Sequence, residues 1–150
     1  MPHDPSPPEF RAVPRVVEST GATRQIAAAM RATGLADPVL VVAADGDIAS
    51  LAPAWADAFA EAAWTHRVFG FGGGSSPREI AAIAAEAASL GATAIVGVGD
   101  AIEAAAAAAA AGGCRFVACP TGGPIPRCSP DLVVVDTAAV ENASRPRIDS

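Results

Sequence analysis

Short apolar runs alternate with longer amphipathic stretches along most of the chain. The runs are about as long as β-strands, and several are apolar at every position, as expected for strands buried on both faces of a parallel sheet. Pro14 confines the first run to a sheet edge, because proline cannot donate to a strand ladder. The predicted strands are 11–18, 39–43, 67–71, 94–98, 115–119 and 132–135.

The stretches between these runs repeat apolar residues at helical spacing and carry helix start and stop signals. Ser76, Pro77 and Glu79 form a capping box with proline at the first helical position. Gly34 and Gly91 follow two of the stretches, where a left-handed residue ends a helix. The predicted helices are 22–33, 49–63, 77–90 and 102–111.

Strands that alternate with helices at this spacing predict an α/β fold, because parallel strands need helical crossovers. We expect a single doubly wound, mostly parallel sheet with helices on both faces, similar to a Rossmann fold. A length of 150 residues fits one domain, which we assign to residues 10–148. Residues 1–9 hold four prolines and are expected to form a disordered lead.

The charge pattern excludes several classes of function. The formal net charge is −6, all ten basic residues are scattered arginines, and no lysine is present, so a nucleic-acid partner is not expected. Schiff-base chemistry and a Walker phosphate loop are excluded, because both need lysine. No apolar segment long enough to span a membrane and no signal peptide is visible, so we expect a cytoplasmic protein without a membrane partner.

Three cysteines lie close together near the carboxyl half of the chain: Cys114, Cys119 and Cys128. We interpret them as reduced thiols, because their number is odd and no secretion signal accompanies them. A zinc site would need a fourth ligand, and the two histidines, His3 and His66, are remote in sequence. A sharper alternative makes Cys119 a catalytic nucleophile at the end of a strand.

Ligands of open parallel sheets bind at the carboxyl ends of the strands, which directs attention to four loops. These loops span 44–48, 70–76, 97–102 and 120–130, and each contains glycine. Gly97 and Gly99 flank a turn between a buried strand and a helix, where the backbone can approach a phosphate. Asp45 and Asp47 follow the second strand, where dinucleotide-binding domains place the acid that holds a ribose, and Asp45 is the preferred candidate.

Several motifs, in order, resemble the superfamily of glycerol dehydrogenase and iron-containing alcohol dehydrogenases, to which dehydroquinate synthase is related. Segment 97–106 aligns with the G-G-G-S-x-x-D-x-A-K phosphate loop, and Pro120-Thr121 matches the P-T of the adenosine side. Segment 129–137 is close to the P-D-x-V-x-V-D-T strand, and Arg147 falls near the arginine that precedes the helical domain. The resemblance spans residues 11 to about 148 and also covers 14–22 and 71–85.

This resemblance implies the nucleotide-binding domain of an NAD(P)-dependent enzyme whose metal ligands lie in a further helical domain. The 150-residue sequence contains no counterpart of that domain, so we expect no metal site and no metal-dependent dehydrogenase activity from the chain alone. Asp100 replaces the serine of the phosphate loop, Glu103 its aspartate and Ala106 its lysine. A carboxylate at Asp100 would repel a pyrophosphate, so we do not expect a cofactor bound in the manner of this superfamily; NAD(P) is the cofactor to test.

Each candidate residue also has a structural interpretation. Asp100 could cap the following helix, and Glu103 could complement the helix dipole. Together they could hold a divalent cation, while Asp45 and Asp47 could simply form a turn. We expect a structural role for His66 and packing roles for the two tryptophans, Trp55 and Trp64.

The sequence therefore leads to three functional hypotheses. The first is a degenerate dehydrogenase-family domain that acts as a binding or accessory subunit, with a separate helical subunit or pathway enzyme as partner. The second is an NAD(P)- or nucleotide-binding domain that uses Asp45, Gly97, Gly99 and Thr121. The third is a small enzyme built on the Cys119 loop. A homodimer through the first strand is expected in each case.

Overall fold

A computed structural model of the chain describes residues 15–122 and 128–138. They form one parallel sheet of six strands in the order β1-β6-β5-β4-β2-β3. The strands are β1 Arg15–Ser19, β2 Val39–Ala43, β3 His66–Gly70, β4 Ala94–Val98, β5 Arg115–Cys119 and β6 Leu132–Asp136. The predicted α/β class and the parallel sheet are confirmed.

Helices cover the sheet on both faces. A 3₁₀ turn, Ala22–Gln25, leads into α1 Ile26–Ala32; α2 is Asp45–Glu61 and α3 is Pro77–Leu90; a second 3₁₀ turn, Gly99–Ala101, leads into α4 Ile102–Gly112. Helices α1 and α2 pack on one face of the sheet, which contributes Val41, Val96 and Val117. Helices α3 and α4 pack on the other, with Leu40, Val42 and Ile95.

The central strands β2 and β4 are buried at all five positions, which their purely apolar sequences predict. Strand β1 lies at the sheet edge and is mostly exposed, as Pro14 implies. Ser76 caps helix α3 as predicted: the N–H of Glu79 donates to the Ser76 hydroxyl at 3.2 Å, and Gly91 ends the helix at φ 74°. The reciprocal half of the predicted capping box is not seen, because the Glu79 carboxylate accepts from the N–H of Gly72 at 3.3 Å.

Some predicted bounds are wrong. Helix α2 begins at Asp45, four residues before the expected start, so Asp45 and Asp47 belong to its first turn and not to a loop. The exposed carboxylate of Asp45 lies where it can interact favourably with the helix dipole. The first predicted helix opens as a 3₁₀ turn, β3 begins one residue early, and β6 extends to Asp136.

Other predictions lie outside the described residues. They concern the proline-rich lead 1–9, positions 11–14 of the first strand, the segment around Arg147 and positions 123–127 of the 120–130 loop. The described ranges fall within the predicted domain of 10–148.

Candidate functional site

The strand order creates a crevice at the carboxyl ends of β2 and β4. These two strands are neighbours, yet β2 continues into α2 on one face and β4 into α4 on the other. A crevice at such a topological switch point is the usual ligand site of an open α/β sheet. The side chains that reach it from the two strand ends are therefore the candidate site.

Gly99 forms the floor of this crevice. Its φ of +56° lies in the left-handed region, and a Cβ there would be 2.6 Å from Oγ1 of Thr121 and 2.9 Å from Oδ2 of Asp47. Two polar side chains from separate elements therefore converge on one glycine. The structure brings Gly99 and Thr121 together and adds Asp47, which sequence reasoning interpreted as a ribose-binding acid or as a turn residue.

Gly97 lies two residues earlier, inside β4, and allows α4 to pack closely on that strand. A Cβ at this position would be 2.8 Å from Cβ of Ala105, 3.0 Å from Cα of Ile102 and 3.2 Å from the ring of Phe116. Helix α4 can approach β4 this closely only because residue 97 has no side chain. Gly97 is buried beneath the helix and presents no surface to a ligand.

Carboxylates dominate the electrostatics of the crevice. Burial raises the pKa of Asp47, and the negative charge of Asp100 raises it further. Asp100 is exposed on the 3₁₀ turn before α4, while Asp47 is half-buried in the first turn of α2. Two acids thus flank the position over Gly99 where a phosphate would have to lie.

The other predicted acids lie around this pair. Asp45 is exposed, and its Oδ1 is 3.7 Å from the position of a Cβ on Gly70, at the end of β3. Glu103 is exposed in the first turn of α4 and accepts a long hydrogen bond of 3.5 Å from the Ser75 hydroxyl. Both positions are open to solvent, which agrees with the dipole interpretation of Glu103.

The capping interpretation of Asp100 is wrong. The residue that precedes the 3₁₀ turn is Val98, the one that precedes α4 is Ala101, and neither end has a side-chain cap. The extra 3₁₀ turn moves Asp100 past the capping position, so its carboxylate is left at the crevice surface.

Among the residues that the structure describes, the carboxylate with the most hydrogen bonds is one that sequence reasoning did not select. Asp136, at the end of β6, accepts bonds from the N–H groups of Gly21 (2.9 Å), Thr23 (3.0 Å) and Ala138 (3.1 Å). Burial by itself would raise the pKa of Asp136, but these bonds and one from the Thr23 hydroxyl outweigh it and hold the pKa below its ordinary value. Asp136 therefore fixes the β1–α1 turn to β6.

The structure does not support Cys119 as a nucleophile. Burial, with a contribution from the Asp136 carboxylate, raises the pKa of the Cys119 thiol to about 12. A thiol of that pKa is protonated at neutral pH, and only the thiolate is nucleophilic. The cavity beside it, between Val98, Thr121 and Asp136, has a volume of about 10 Å³, which is too small for a substrate.

The remaining sequence hypotheses concern packing. His66 opens β3 at the opposite end of the sheet and stacks on Phe59 with ring centroids 4.8 Å apart. Trp55 is buried in the core, and Trp64 lies between Phe59 and the guanidinium of Arg31. These findings confirm the structural interpretation of His66, Trp55 and Trp64.

Within 15–122 and 128–138, no group of three or more histidine, cysteine or acidic side chains has an arrangement that could hold a metal ion. The described residues thus do not provide a site for the metal that the resemblance implies for the further helical domain. In the same ranges, no helix is both long and apolar enough to cross a lipid bilayer.

Comparison with protein-family models gives no match, and comparison with curated proteins gives none either. Solved structures do match. A probable glycerol dehydrogenase from Sinorhizobium meliloti 1021 superposes with a TM-score of 0.72 at 24% identity, over 86% of this chain and 41% of that one. Glycerol dehydrogenase from Schizosaccharomyces pombe gives 0.67 at 19% identity, over 84% and 37%.

NADH-dependent butanol dehydrogenase A from Thermotoga maritima matches with a TM-score of 0.72 at 15% identity, over 89% of this chain and 44% of that one. The chain thus spans about two fifths of the length of each of these structures. At such identities the likeness is one of fold. The resemblance seen in the sequence is confirmed at that level: the chain has the α/β fold that forms part of glycerol dehydrogenases and of other alcohol dehydrogenases.

Proposed function

We propose that this protein is a dehydrogenase-type nucleotide-binding domain whose phosphate turn is closed by its own side chains, and that it acts as a binding or accessory subunit. The observation that carries the proposal is the position of Asp47, whose carboxylate reaches the space over Gly99 beside Thr121. In this role the partner is a separate helical subunit or an enzyme of the same pathway.

Negative charge near Gly99 opposes the binding of a pyrophosphate there. A dinucleotide pyrophosphate over Gly99 would approach Asp47, and Asp100 is close enough to raise the pKa of Asp47. Two like charges about 4 Å apart repel by about 1 to 4 kcal/mol at effective dielectric constants of 80 to 20. A carboxylate about 4 Å from the pyrophosphate would therefore weaken its binding by about 5- to 1000-fold.

The alternative function keeps nucleotide binding. The fold match includes an NADH-dependent enzyme, and the crevice lies at the switch point where such folds bind dinucleotides. In this version Gly99 and Thr121 contact the phosphates, and the exposed Asp45 holds a ribose hydroxyl. Binding then requires Asp47 to leave Gly99 or to become protonated.

Calorimetric titration with NAD, NADP and ADP-ribose separates the two functions. For the accessory domain we expect no heat of binding at millimolar ligand with the unaltered protein. The double variant Asp47→Asn, Asp100→Ser should gain affinity, because both repulsive charges are gone. The variant Asp57→Asn, which removes one charge far along α2, is the control and should gain none.

Two results would overturn the proposal. Micromolar binding of any of the three ligands to the unaltered protein establishes the nucleotide-binding function instead. If the double variant is folded by circular dichroism and still shows no binding, the carboxylates are not what closes the turn.

A further inference from the structure

Asp47 is placed to meet an anion at the Gly99 turn directly. The position that a Cβ on Gly99 would take lies 2.9 Å from Oδ2 of Asp47 and 2.6 Å from Oγ1 of Thr121. A phosphate oxygen that approached the glycine backbone there would therefore contact the Asp47 carboxyl group. The protonation state of this one group decides whether that contact is repulsive or attractive.

Two changes could free this position for an anion: rotation of the Asp47 side chain or its protonation. Rotation leaves a negative charge beside the ligand, because the backbone of Asp47 is fixed in the first turn of α2 and a new rotamer moves the carboxylate by only a few ångströms. Protonation removes the charge and converts the group into a hydrogen-bond donor for a phosphate oxygen.

The surroundings of Asp47 favour the protonated form. Burial raises its pKa, and the charge of Asp100 acts in the same direction. Asp136 shows the opposite behaviour, because its hydrogen bonds outweigh burial and hold its pKa below the ordinary value. Of the two carboxylates, Asp47 is therefore the one that takes up a proton more readily.

The other charged side chains on the elements around Asp47 do not offset this effect. The 3₁₀ turn that packs against α2 carries one cation, Arg24, which is paired with Asp57 at 3.3 Å, far along α2. The remaining groups on these elements are acidic: Asp45 on α2, Asp100 and Glu103 at the start of α4, and Asp136 at the end of β6.

We propose that a dinucleotide pyrophosphate binds at the Gly99 turn together with one proton, which the Asp47 carboxylate takes up from solvent. The inference rests on the proposed function, since it concerns the same closed turn, and it names the condition that opens it. Asp47 thus acts as a proton-operated gate. The gate is closed when Asp47 is ionised and open when Asp47 is protonated.

The gate fixes how affinity depends on pH. If only the protonated form binds, the apparent dissociation constant is the intrinsic constant divided by the protonated fraction. Above the folded pKa of Asp47 this fraction falls by about tenfold for each pH unit. Affinity should therefore rise by about tenfold per unit as the pH is lowered from about 7.5 to about 5.5, with about one proton taken up per ligand.

The experiment titrates the full chain with ADP-ribose, whose pyrophosphate stays ionised throughout this pH range. Backbone amide NMR shifts give the affinity at each pH. Calorimetry at the lowest pH, in two buffers that differ in ionisation enthalpy, gives the number of protons taken up. We expect no binding at neutral pH and binding that strengthens as the pH falls, although the retained charge of Asp100 keeps it weaker than in the double variant described above.

The variant Asp47→Asn carries a neutral amide in place of the protonated carboxyl group. It should bind ADP-ribose with a much smaller pH dependence and without proton uptake. Asp57→Asn removes the same charge far along α2 and should keep the pH dependence of the unaltered protein. Circular dichroism checks that each variant is folded.

Equal pH dependence in Asp47→Asn and the unaltered protein would overturn the gate, as would binding without proton uptake. A folded Asp47→Asn variant that does not bind would overturn it as well. Binding by Asp47→Asn with none by the unaltered protein at any pH would overturn the gate and leave the proposed function standing. Micromolar binding to the unaltered protein at neutral pH would instead overturn the proposed function, because the turn would then be open.

Discussion

The backbone N–H of Thr23 donates a 3.0 Å hydrogen bond to the carboxylate of Asp136, across 113 residues of sequence. The N–H of Gly21 binds the other carboxylate oxygen at 2.9 Å. Asp136 thus satisfies the free N–H groups at the start of the first helical segment, which has no cap of its own. A residue from the last strand of the sheet caps the first turn of the fold.

Replacing Asp136 with asparagine should lower the free energy of unfolding by about 2 to 4 kcal/mol, because charge-assisted hydrogen bonds are lost and an N–H₂ group faces N–H donors. The pKa of Asp136 is lowered from 3.8 in the folded protein, so its contribution is present above pH 3.8 and lost as the pH falls through the folded pKa. Urea denaturation of both proteins at several pH values tests this. An equal difference between them at neutral and strongly acidic pH would contradict it.

The two glycines Gly97 and Gly46 should respond oppositely to alanine. Gly97→Ala places a methyl 2.8 Å from Ala105 and should destabilise the protein by about 1 to 3 kcal/mol through overpacking. Gly46→Ala meets nothing within 4 Å inside α2 and should stabilise the protein by about 0.5 to 1 kcal/mol. Thermal and urea unfolding measure both, and a neutral Gly97→Ala variant would show that α4 does not sit as close to β4 as described.

Removing the charge of Asp100 should lower the pKa of Asp47. Burial is the larger cause of the raised pKa and stays in Asp100→Asn, so the pKa should fall only part of the way to its ordinary value. An NMR titration of the Asp47 carboxyl carbon reads this directly. Asp57→Asn is the control, and a shift of equal size in that variant would mean that general charge and not proximity sets the pKa of Asp47.

A raised carboxyl pKa also has a stability signature. Ionised Asp47 is disfavoured in the folded state, so the protein loses stability as the pH rises from 3.8 through the folded pKa of Asp47. In Asp100→Asn that loss should be smaller, and its midpoint should lie at lower pH. A pH-stability profile identical to that of the unaltered protein would rule out the repulsion.

The expected homodimer makes a prediction for the edge strand. Val16 on β1 is 57% exposed, and β1 pairs only with β6 within the described residues, so a second copy can add to the sheet through β1. Val16→Lys should shift light scattering from dimer to monomer. Ala81→Lys, which adds the same charge on the exposed side of α3, should not. A monomeric unaltered protein would end the hypothesis.

Much of the architecture could be predicted because it depends on local signals. The strands 39–43, 94–98 and 115–119 were predicted with the bounds that the structure shows. The first two are apolar at every position and the third at every position but Arg115, as expected for strands inside a parallel sheet. The Ser76 cap of α3 was equally clear. The start of α2 was missed because its first turn, with Asp45 and Asp47, contributes nothing to the apolar pattern.

The site was predicted less well because its contacts are non-local. Gly99 and Thr121 followed from strand ends and a family motif, but no periodicity shows that Asp47 reaches Gly99 from a different helix. The role of Asp136 could not be predicted for the same reason, since Gly21 and Thr23, which donate to it, are more than 110 residues away in sequence. The raised pKa of Cys119 results from burial and from the Asp136 charge, and both depend on the folded structure.

The close contact between α4 and β4 at Gly97 also affects the crevice. A residue with no side chain sets the height at which α4 rests on the sheet, and the same helix begins with the turn that holds Gly99 and Asp100. A single methyl group at position 97 would lift the amino end of α4 and widen the gap between Gly99 and Thr121. The absence of a side chain at the buried Gly97 therefore helps to set the shape of the surface site above it.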